Sequence, residues 1–422
     1  MKVLISAYAC EPNRGSEPGA GWNWSLAAAR ANQVWVLTRA NNRGAIEAEL
    51  ARRPQPNVRF VYVDLPAWAR RWKRGGRGVR LYYSVWQIAA YRTAKRLHAE
   101  VAFDVVHHVT FANAWLPAGV AFVDAPFVLG PVDAGLSVPV HFYRELGMRG
   151  VLTEWKTQTV RALARLNPVT RAGIRRARLI LAQNDESAER LGRFGRPMIV
   201  RPNATVDSEQ LRASAETAGT TRGRTALVAG RLVALKGVVL AVRAISLLPD
   251  WSLEIVGSGP DERRLRRLVC TLGVEDRVTF IRWLPQADLW RRMAESSVVM
   301  VPSLRDAANL VVAEAATLSV PVVALDQGGP RVLARMSPRL VRTVGCRRPT
   351  EAVYGLMVEL SGVRGKGDSP DSFSIERVAD DLQHAYQTAI AVSVELPASA
   401  PVAGSSSADG QQDAHVSSGA RA

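Results

Sequence analysis

Two short segments of the chain set charged side chains between apolar runs. In Val228-Ala229-Gly230-Arg231-Leu232-Val233-Ala234-Leu235-Lys236-Gly237-Val238, an apolar strand ends at Gly230 and a helix opens near Gly237. Glycine permits close backbone approach, and a helix N-terminus attracts anions. Arg231 and Lys236 thus bring two fixed positive charges to one crevice, which is chemistry suited to a diphosphate. Composition alone equally allows a surface turn with two solvated cations. Lys236 is one of six lysines among 55 basic residues, which favours a specific role for it.

The second segment runs from Pro302 through Ser303-Leu304-Arg305-Asp306-Ala307-Ala308-Asn309-Leu310 to Ala315, and places Asp306 eight residues before Glu314. Glu314 falls inside an otherwise apolar helical run. A buried carboxylate is costly there unless something donates to it, and ribose hydroxyls are natural donors. For Glu314 the ligand contact is therefore the favoured reading. Asp306 precedes the helix, where an N-terminal cap accounts for it more simply than a ligand acceptor does.

These segments need strands and helices to position them. Apolar runs at Val3–Ala7, Val34–Thr38, Val58–Val63, Val105–His107, Phe127–Gly130 and Leu179–Ala182 read as buried strands. Helical patterns lie between them, including Trp22–Arg30 after a run from Gly15 to Gly21 holding three glycines. Continuous apolar strands separated by helices imply a parallel sheet covered on both faces. The alternation restarts with strands at Thr225–Val228, Ser252–Val256, Val278–Ile281, Val298–Val301 and Val320–Leu325. The fold class is α/β, with two doubly wound Rossmann-like domains. The expected boundaries are a first domain over 1–204, a Ser/Thr/Gly-rich linker over 205–223 and a second domain over 224–372. A helix over 373–394 carries Val378, Leu382, Tyr386 and Ile390 on one face, and is expected to pack back on the first domain. The stretch 395–422 lacks core residues and reads as a disordered tail.

Composition excludes several classes. The chain has 422 residues, 47% of them hydrophobic and 22% charged, which suits a globular protein and not a disordered one. No apolar run reaches the roughly 18 residues of a membrane span. Three scattered cysteines, Cys10, Cys270 and Cys346, form no zinc spacing and point to a reducing compartment. The N-terminus reads as a first strand and not as a signal peptide, so the expected location is the cytoplasm. A formal charge of +17 favours anionic partners. Between Asp64 and Glu100 the cations, Arg70, Arg71, Lys73 and Arg74 among them, meet no acid, and Trp68, Trp72, Tyr82, Tyr83 and Trp86 are interleaved. That pattern suits the face of an anionic membrane; a solvated loop followed by a helix with inward aromatics is the plain alternative. No recognition motif supports nucleic acid as a partner.

Taken in order, the motifs resemble a known family. Gly230-Arg231-Leu232 with Lys236-Gly237 is followed by Ile-Val-Gly-Ser-Gly-Pro at Ile255–Pro260 and by Val278-Thr279-Phe280 with Trp283-Leu284-Pro285. Val301-Pro302-Ser303, the acidic pair and Pro321–Ala324 complete the set. The first half adds Gly15-Ser16-Glu17-Pro18-Gly19-Ala20-Gly21-Trp22, Phe103–His108 and Gly130-Pro131-Val132. Together these are similar to the retaining glycosyltransferases of family 4, which have the GT-B fold of two domains facing a central cleft. The resemblance implies that Arg231 and Lys236 bind the diphosphate of a nucleotide-sugar donor, beside Gly230, and stabilise it as it leaves. It implies that Glu314 holds the donor ribose, and that Asp306, with the N–H groups of Ala308, Asn309 and Leu310, holds the donor sugar. Gly15 would let the first loop approach the diphosphate, and His107 or His108 would face the reacting sugar. No metal or other cofactor is expected. The acceptor implied is a saccharide or a lipid-linked saccharide of surface polysaccharide assembly. This chain departs from the family at Asp306, where Glu is usual, at Ala307 and Ala308, where glycines are usual, and at Arg282 before Trp283. Those departures leave a catalytically impaired GT-B binding protein as the alternative. A nicotinamide-dependent enzyme is disfavoured, because no Gly-x-Gly-x-x-Gly follows the first strand.

Overall fold

The structure is a computed structural model and describes residues 1–66, 78–219, 223–362 and 371–392. The cations Arg70, Arg71, Lys73 and Arg74, with Trp68, Trp72 and the stretch 395–422, lie outside the described residues.

The apolar runs of the first half form seven strands: β1 Lys2–Ala7, β2 Gln33–Arg39, β3 Val58–Val63, β4 Val105–Thr110, β5 Phe127–Val132, β6 Leu179–Ala182 and β7 Met198–Val200. They pair in the order β3-β2-β1-β4-β5-β6-β7, every pair parallel. The second half repeats the plan with β8 Thr225–Ala229, β9 Ser252–Val256, β10 Val278–Ile281, β11 Val298–Val301, β12 Val322–Leu325 and β13 Val341–Val344. Their order is β10-β9-β8-β11-β12-β13, again all parallel. Helices cover both faces of each sheet, so β1, β4, β5, β11 and β12 are almost wholly buried. In each sheet the strand order reverses once, between β1 and β4 and between β8 and β11. A crevice opens at the carboxyl ends of such strand pairs, because the flanking loops leave to opposite faces.

The first helix differs from the sequence reading. It spans Ser16–Ala29, so the glycine run is its opening turns and not a free loop. A Cβ on Gly19 would lie 1.9 Å from the Arg14 carbonyl oxygen, and one on Gly21 would lie 2.0 Å from that of Ala9. These glycines are required for close packing of the helix on the preceding loop. The stretch read as a linker also holds structure. Asp207 caps the helix Ser208–Ala215 by accepting from the Gln210 N–H at 3.0 Å, and Leu211 is buried.

Tyr82, Tyr83 and Trp86 lie in the helix Val79–Val101 and are buried in the first core, with Trp86 donating to the Val63 carbonyl at 2.8 Å. Three of the five aromatics assigned to a membrane face are therefore core residues, and the plain alternative holds for this part.

The C-terminal helix Ile375–Ala391 returns to the first half. Val378, Leu382 and Tyr386 pack in one core with Val3, Ile5 and Trp24, whereas Ile390 is exposed. Arg201, buried at the end of β7, pairs with Asp381 at 2.8 Å and donates to the Ser372 carbonyl. Burying Leu382 contributes both transfer energy and shape. Leu382→Ala should cost about 2–5 kcal/mol, read as a lower urea midpoint; an unchanged midpoint would mean that this helix unfolds separately.

Candidate functional site

The crevices of the two sheets face each other across a cavity of about 730 Å³. Loops after β8 and β11 form one wall, and loops after β1, β4 and β5 form the other. On the first wall the chain turns at Gly230 (φ 142), passes Arg231 and Lys236, and enters the helix Val238–Ser246 through Gly237 (φ 60). A Cβ on Gly237 would lie 2.0 Å from the Pro302 carbonyl oxygen, so only glycine lets this loop press against the one after β11. That closeness brings Lys236 Nζ to 2.6 Å from Asp306 Oδ2. Asn309 Nδ2 donates to the same oxygen at 2.8 Å. Arg231 is exposed at the cavity wall.

Asp306 is not a helix cap. The helix Leu310–Thr317 begins after Asn309 (φ 77, ψ 91), and no side chain caps it. The carboxylate of Asp306 faces Lys236 instead. Gly329 donates to the Asp306 carbonyl at 3.0 Å, and Asn184 of the first half donates to the Ala307 carbonyl at 3.0 Å. Ala307, Ala308, Asn309 and Leu310 all line the cavity, with Ala308 almost fully covered. Arg282 is exposed outside the cavity lining, and Trp283 stands at the rim, 74% exposed.

Glu314 is buried in the apolar helix, and the protein supplies part of what it needs. Trp290 Nε1 donates to its Oε1 at 2.9 Å and Gln286 Nε2 at 3.3 Å. Burial still pushes the carboxyl up to about 7, and the two donors hold it back only in part. Glu314 also lines the cavity, so a ligand hydroxyl has an acceptor there.

Gly15 lies at the cavity wall in extended backbone. The two histidines do not reach it. His107 and His108 sit within β4, both fully buried. His107 pairs with the Tyr386 hydroxyl at 2.9 Å and the Gly130 carbonyl at 2.6 Å. His108 pairs with the Tyr83 hydroxyl at 3.1 Å and Ser6 Oγ at 3.3 Å. Burial lowers them to about 4 and about 3, so both are neutral at neutral pH and tie the sheet to its covering helices.

The first-half wall is built from residues that the sequence reading passed over. Glu17, read only as part of a glycine run, accepts from the Ala112 N–H at 3.0 Å, and burial pushes it up to about 7. Asp133 pairs with Arg161 at 3.4 Å and accepts from Ser187 Oγ at 3.2 Å. Asn113 and Gln183 complete a polar surface opposite Lys236. Glu17 sits beside the quoted glycines and Asp133 follows Gly130-Pro131-Val132, so position in the motifs was the available signal. Among the described residues no group of three or more His, Cys, Asp or Glu is placed to hold a metal ion.

Residues 212–338, which include both charged segments, match the family model "Glycosyl transferases group 1". That segment resembles the family, and the rest of the chain lies outside the match. A D-inositol 3-phosphate glycosyltransferase from Mycobacterium marinum is 31% identical over 175 residues, 38% of this chain and 37% of that one. The chain spans about a third of the length of the curated relatives it matches. Among solved structures, sucrose-phosphate synthase from Thermosynechococcus elongatus superposes with a TM-score of 0.65 at 18% identity, covering 93% of this chain and 100% of that one. Anabaena HepE in complex with UDP-glucose superposes at 0.52 with 16% identity, covering 92% and 100%. Both likenesses concern the fold, which is GT-B.

The buried acid has a consequence for stability. Glu314 is raised from 4.5 to about 7 in the folded chain, so the unfolded chain ionises first as pH rises. The stability associated with the protonated form is present at low pH and is lost progressively up to about pH 7. Glu314→Gln removes that loss. Its thermal midpoint should fall less than the parent's between pH 4.5 and about 7, with Glu17 keeping its own share of the slope. Parallel profiles would mean that Glu314 is not buried as described.

Proposed function

We propose that the protein transfers a sugar, with retention at the anomeric carbon, from a nucleotide-diphosphate sugar to a saccharide or lipid-linked saccharide. The observation that carries this is the convergence of Arg231 and Lys236 on the cavity wall beside Asp306 and Glu314. In this reading the donor diphosphate lies against Arg231 and Lys236 near Gly230 and Gly15. Its ribose hydroxyls donate to Glu314. Its sugar meets Asp306 and the free N–H groups at the start of the helix Leu310–Thr317, of which the first turn has no intrahelical partners.

The reaction forms a bond from an acceptor hydroxyl oxygen to the anomeric carbon and breaks the bond from that carbon to the β-phosphate oxygen. Attack comes from the face the diphosphate leaves, and the hydroxyl proton passes to the departing phosphate. Negative charge grows on the diphosphate as the bond breaks, and two preorganised cations stabilise it there. No protein nucleophile is required, and the two cations do the work a divalent metal would otherwise do. The acceptor hydroxyl approaches from the wall of Glu17, Asn113 and Asp133. Surface polysaccharide assembly is the process proposed, on the resemblance of the Gly15–Trp22 segment.

UDP-glucose is the first donor to try, because HepE of the same fold is solved with it. Released nucleotide diphosphate measures turnover without knowledge of the acceptor. Charge-assisted contacts contribute roughly 1.5–3 kcal/mol, so Lys236→Ala should reduce kcat/KM by roughly tenfold or more while the fold is retained. Unchanged kinetics would remove Lys236 from the donor site. A chelator should leave the rate unaltered; loss of activity restored by Mg²⁺ or Mn²⁺ would overturn the leaving-group chemistry proposed. Binding of a nucleotide diphosphate with no turnover of any donor would favour the impaired binding protein, for which the methyl groups of Ala307 and Ala308 in the cavity are the relevant observation.

A further inference from the structure

The helix Tyr143–Ala164 has two unlike faces. It is broken at Gly147 (φ 64, ψ 168) and then continues to Ala164. One face turns inward. It carries Glu154, which pairs with Arg305 of the second half, and Arg161, which lines the cavity. The opposite face holds Met148, Leu152, Trp155 and Leu163, between 63% and 83% exposed. Their spacing of three and four residues, or two such steps across Thr159, places them in a single row. Thr159 lies in that row with its hydroxyl donated to the Trp155 carbonyl at 3.0 Å. At about 1.5 Å per residue the row is about 22 Å long from Met148 to Leu163. Scattered exposed apolar side chains are ordinary, but a row of this length that holds a methionine, two leucines and a tryptophan marks a contact surface.

Charge selects the partner. Arg149 and Lys156 are exposed on one flank of the row, with Arg144 at its start. Between Tyr143 and Arg178 the acids are Glu145 and Glu154, both buried and paired with arginines of the second half, Glu145 with Arg243 at 2.7 Å. The exposed face is therefore apolar and cationic, with no carboxylate. A second copy of the chain docked face to face would set these cations against each other. An anionic lipid surface would accept the apolar row among its acyl chains and the cations among its headgroups. No described helix is long and apolar enough to cross a membrane, so contact is along the surface.

We propose that this face of Tyr143–Ala164 docks the protein on an anionic membrane surface. Because Arg161 lies on the opposite face of the same helix, docking holds the cavity about one helix diameter, roughly 10–12 Å, from the headgroups. The proposal stands apart from the sugar-transfer reading, since it rests on a different surface.

The test is co-sedimentation of the full chain with phosphatidylcholine vesicles, with and without phosphatidylglycerol. The parent should sediment with the anionic vesicles and not with the neutral ones. Leu152→Gln/Trp155→Gln/Leu163→Gln removes three exposed apolar side chains, and should weaken sedimentation by at least roughly tenfold. Arg149→Ser/Lys156→Ser should weaken it several-fold at low salt and less at high salt. Circular dichroism and the thermal midpoint should match the parent, because these side chains make no core contacts, and release of UDP from a soluble donor should be unchanged. Sedimentation of the triple variant equal to the parent's would place any membrane contact elsewhere, including on the basic stretch before the helix Val79–Val101, and overturn the proposal. Failure of the parent to bind either vesicle would overturn it too. So would a concentration-dependent dimer in sedimentation velocity that the triple variant abolishes, which would assign the face to a second copy.

Discussion

The ion pair between Lys236 and Asp306 joins the two loops on which the candidate site depends. Each loop leaves the carboxyl end of a strand at the point where the second sheet reverses its order, β8 on one side and β11 on the other. Parallel strands at a reversal send their following chains to opposite faces of the sheet, so their loops diverge unless something holds them. Gly237 lets one backbone press on the other, and the 2.6 Å contact then fixes both charges at the cavity wall. The pair is only part-buried, so its worth to stability is small and its effect is chiefly geometric. It also sets the terms of binding. An incoming diphosphate meets a lysine already neutralised by Asp306 and an arginine that is not, so Arg231 offers the less compensated charge.

The same use of charge recurs where the two halves meet. Asp185 pairs with Arg335 through two contacts of 2.7 and 2.8 Å, Glu186 with Arg331 at 3.4 Å, Glu145 with Arg243, and Glu154 with Arg305. In each of these pairs the acid belongs to the first half and the arginine to the second. Arg335 holds Asp185 below the usual carboxylate range. Exposed pairs of this kind contribute little each, whereas Glu154 has no exposed surface and would be left as an unpaired buried charge without Arg305. The pairs of buried Glu154 and Glu145 therefore fix the approach of the halves, and the more exposed pairs of Asp185 and Glu186 orient it. The net charge of +17 conceals this asymmetry, in which four acids of the first half face four arginines of the second.

Much of the fold was legible because parallel strands buried on both faces are continuous apolar runs. Val298–Val301 could be placed without any partner, as could Leu179–Ala182. Arg231, Lys236, Asp306 and Glu314 were legible as a set, since both segments sit at strand ends. The histidines were not. His107 and His108 look reactive in a linear sequence, but alternation along a buried strand sends one ring to each face, where Tyr386 and Tyr83 meet them. Those partners lie 279 and 25 residues away, and no local pattern encodes that distance. Glu17 was obscured for another reason. Glycines stand two residues to either side of it and suggest a loop, yet Gly19 serves close packing within a helix, and Glu17 in the first turn of that helix lines the cavity.

The helix Tyr143–Ala164 shows how far a single element can be constrained by separate demands. Its inward face must supply Glu154 to Arg305 and Arg161 to the cavity, and Glu145 at its start must reach Arg243. Helical periodicity then leaves only the remaining arc free, and that arc is where the exposed leucines, Met148 and Trp155 lie. Solubility alone would fill such an arc with charge on both flanks and polar groups between them. The residues found there add apolar surface that no described contact uses, at a place where the acids are already committed inward. Stability does not explain that choice, since exposed apolar groups lose nothing on unfolding. A requirement outside the fold does explain it, and the geometry of the helix ties that requirement to the cavity wall through Arg161.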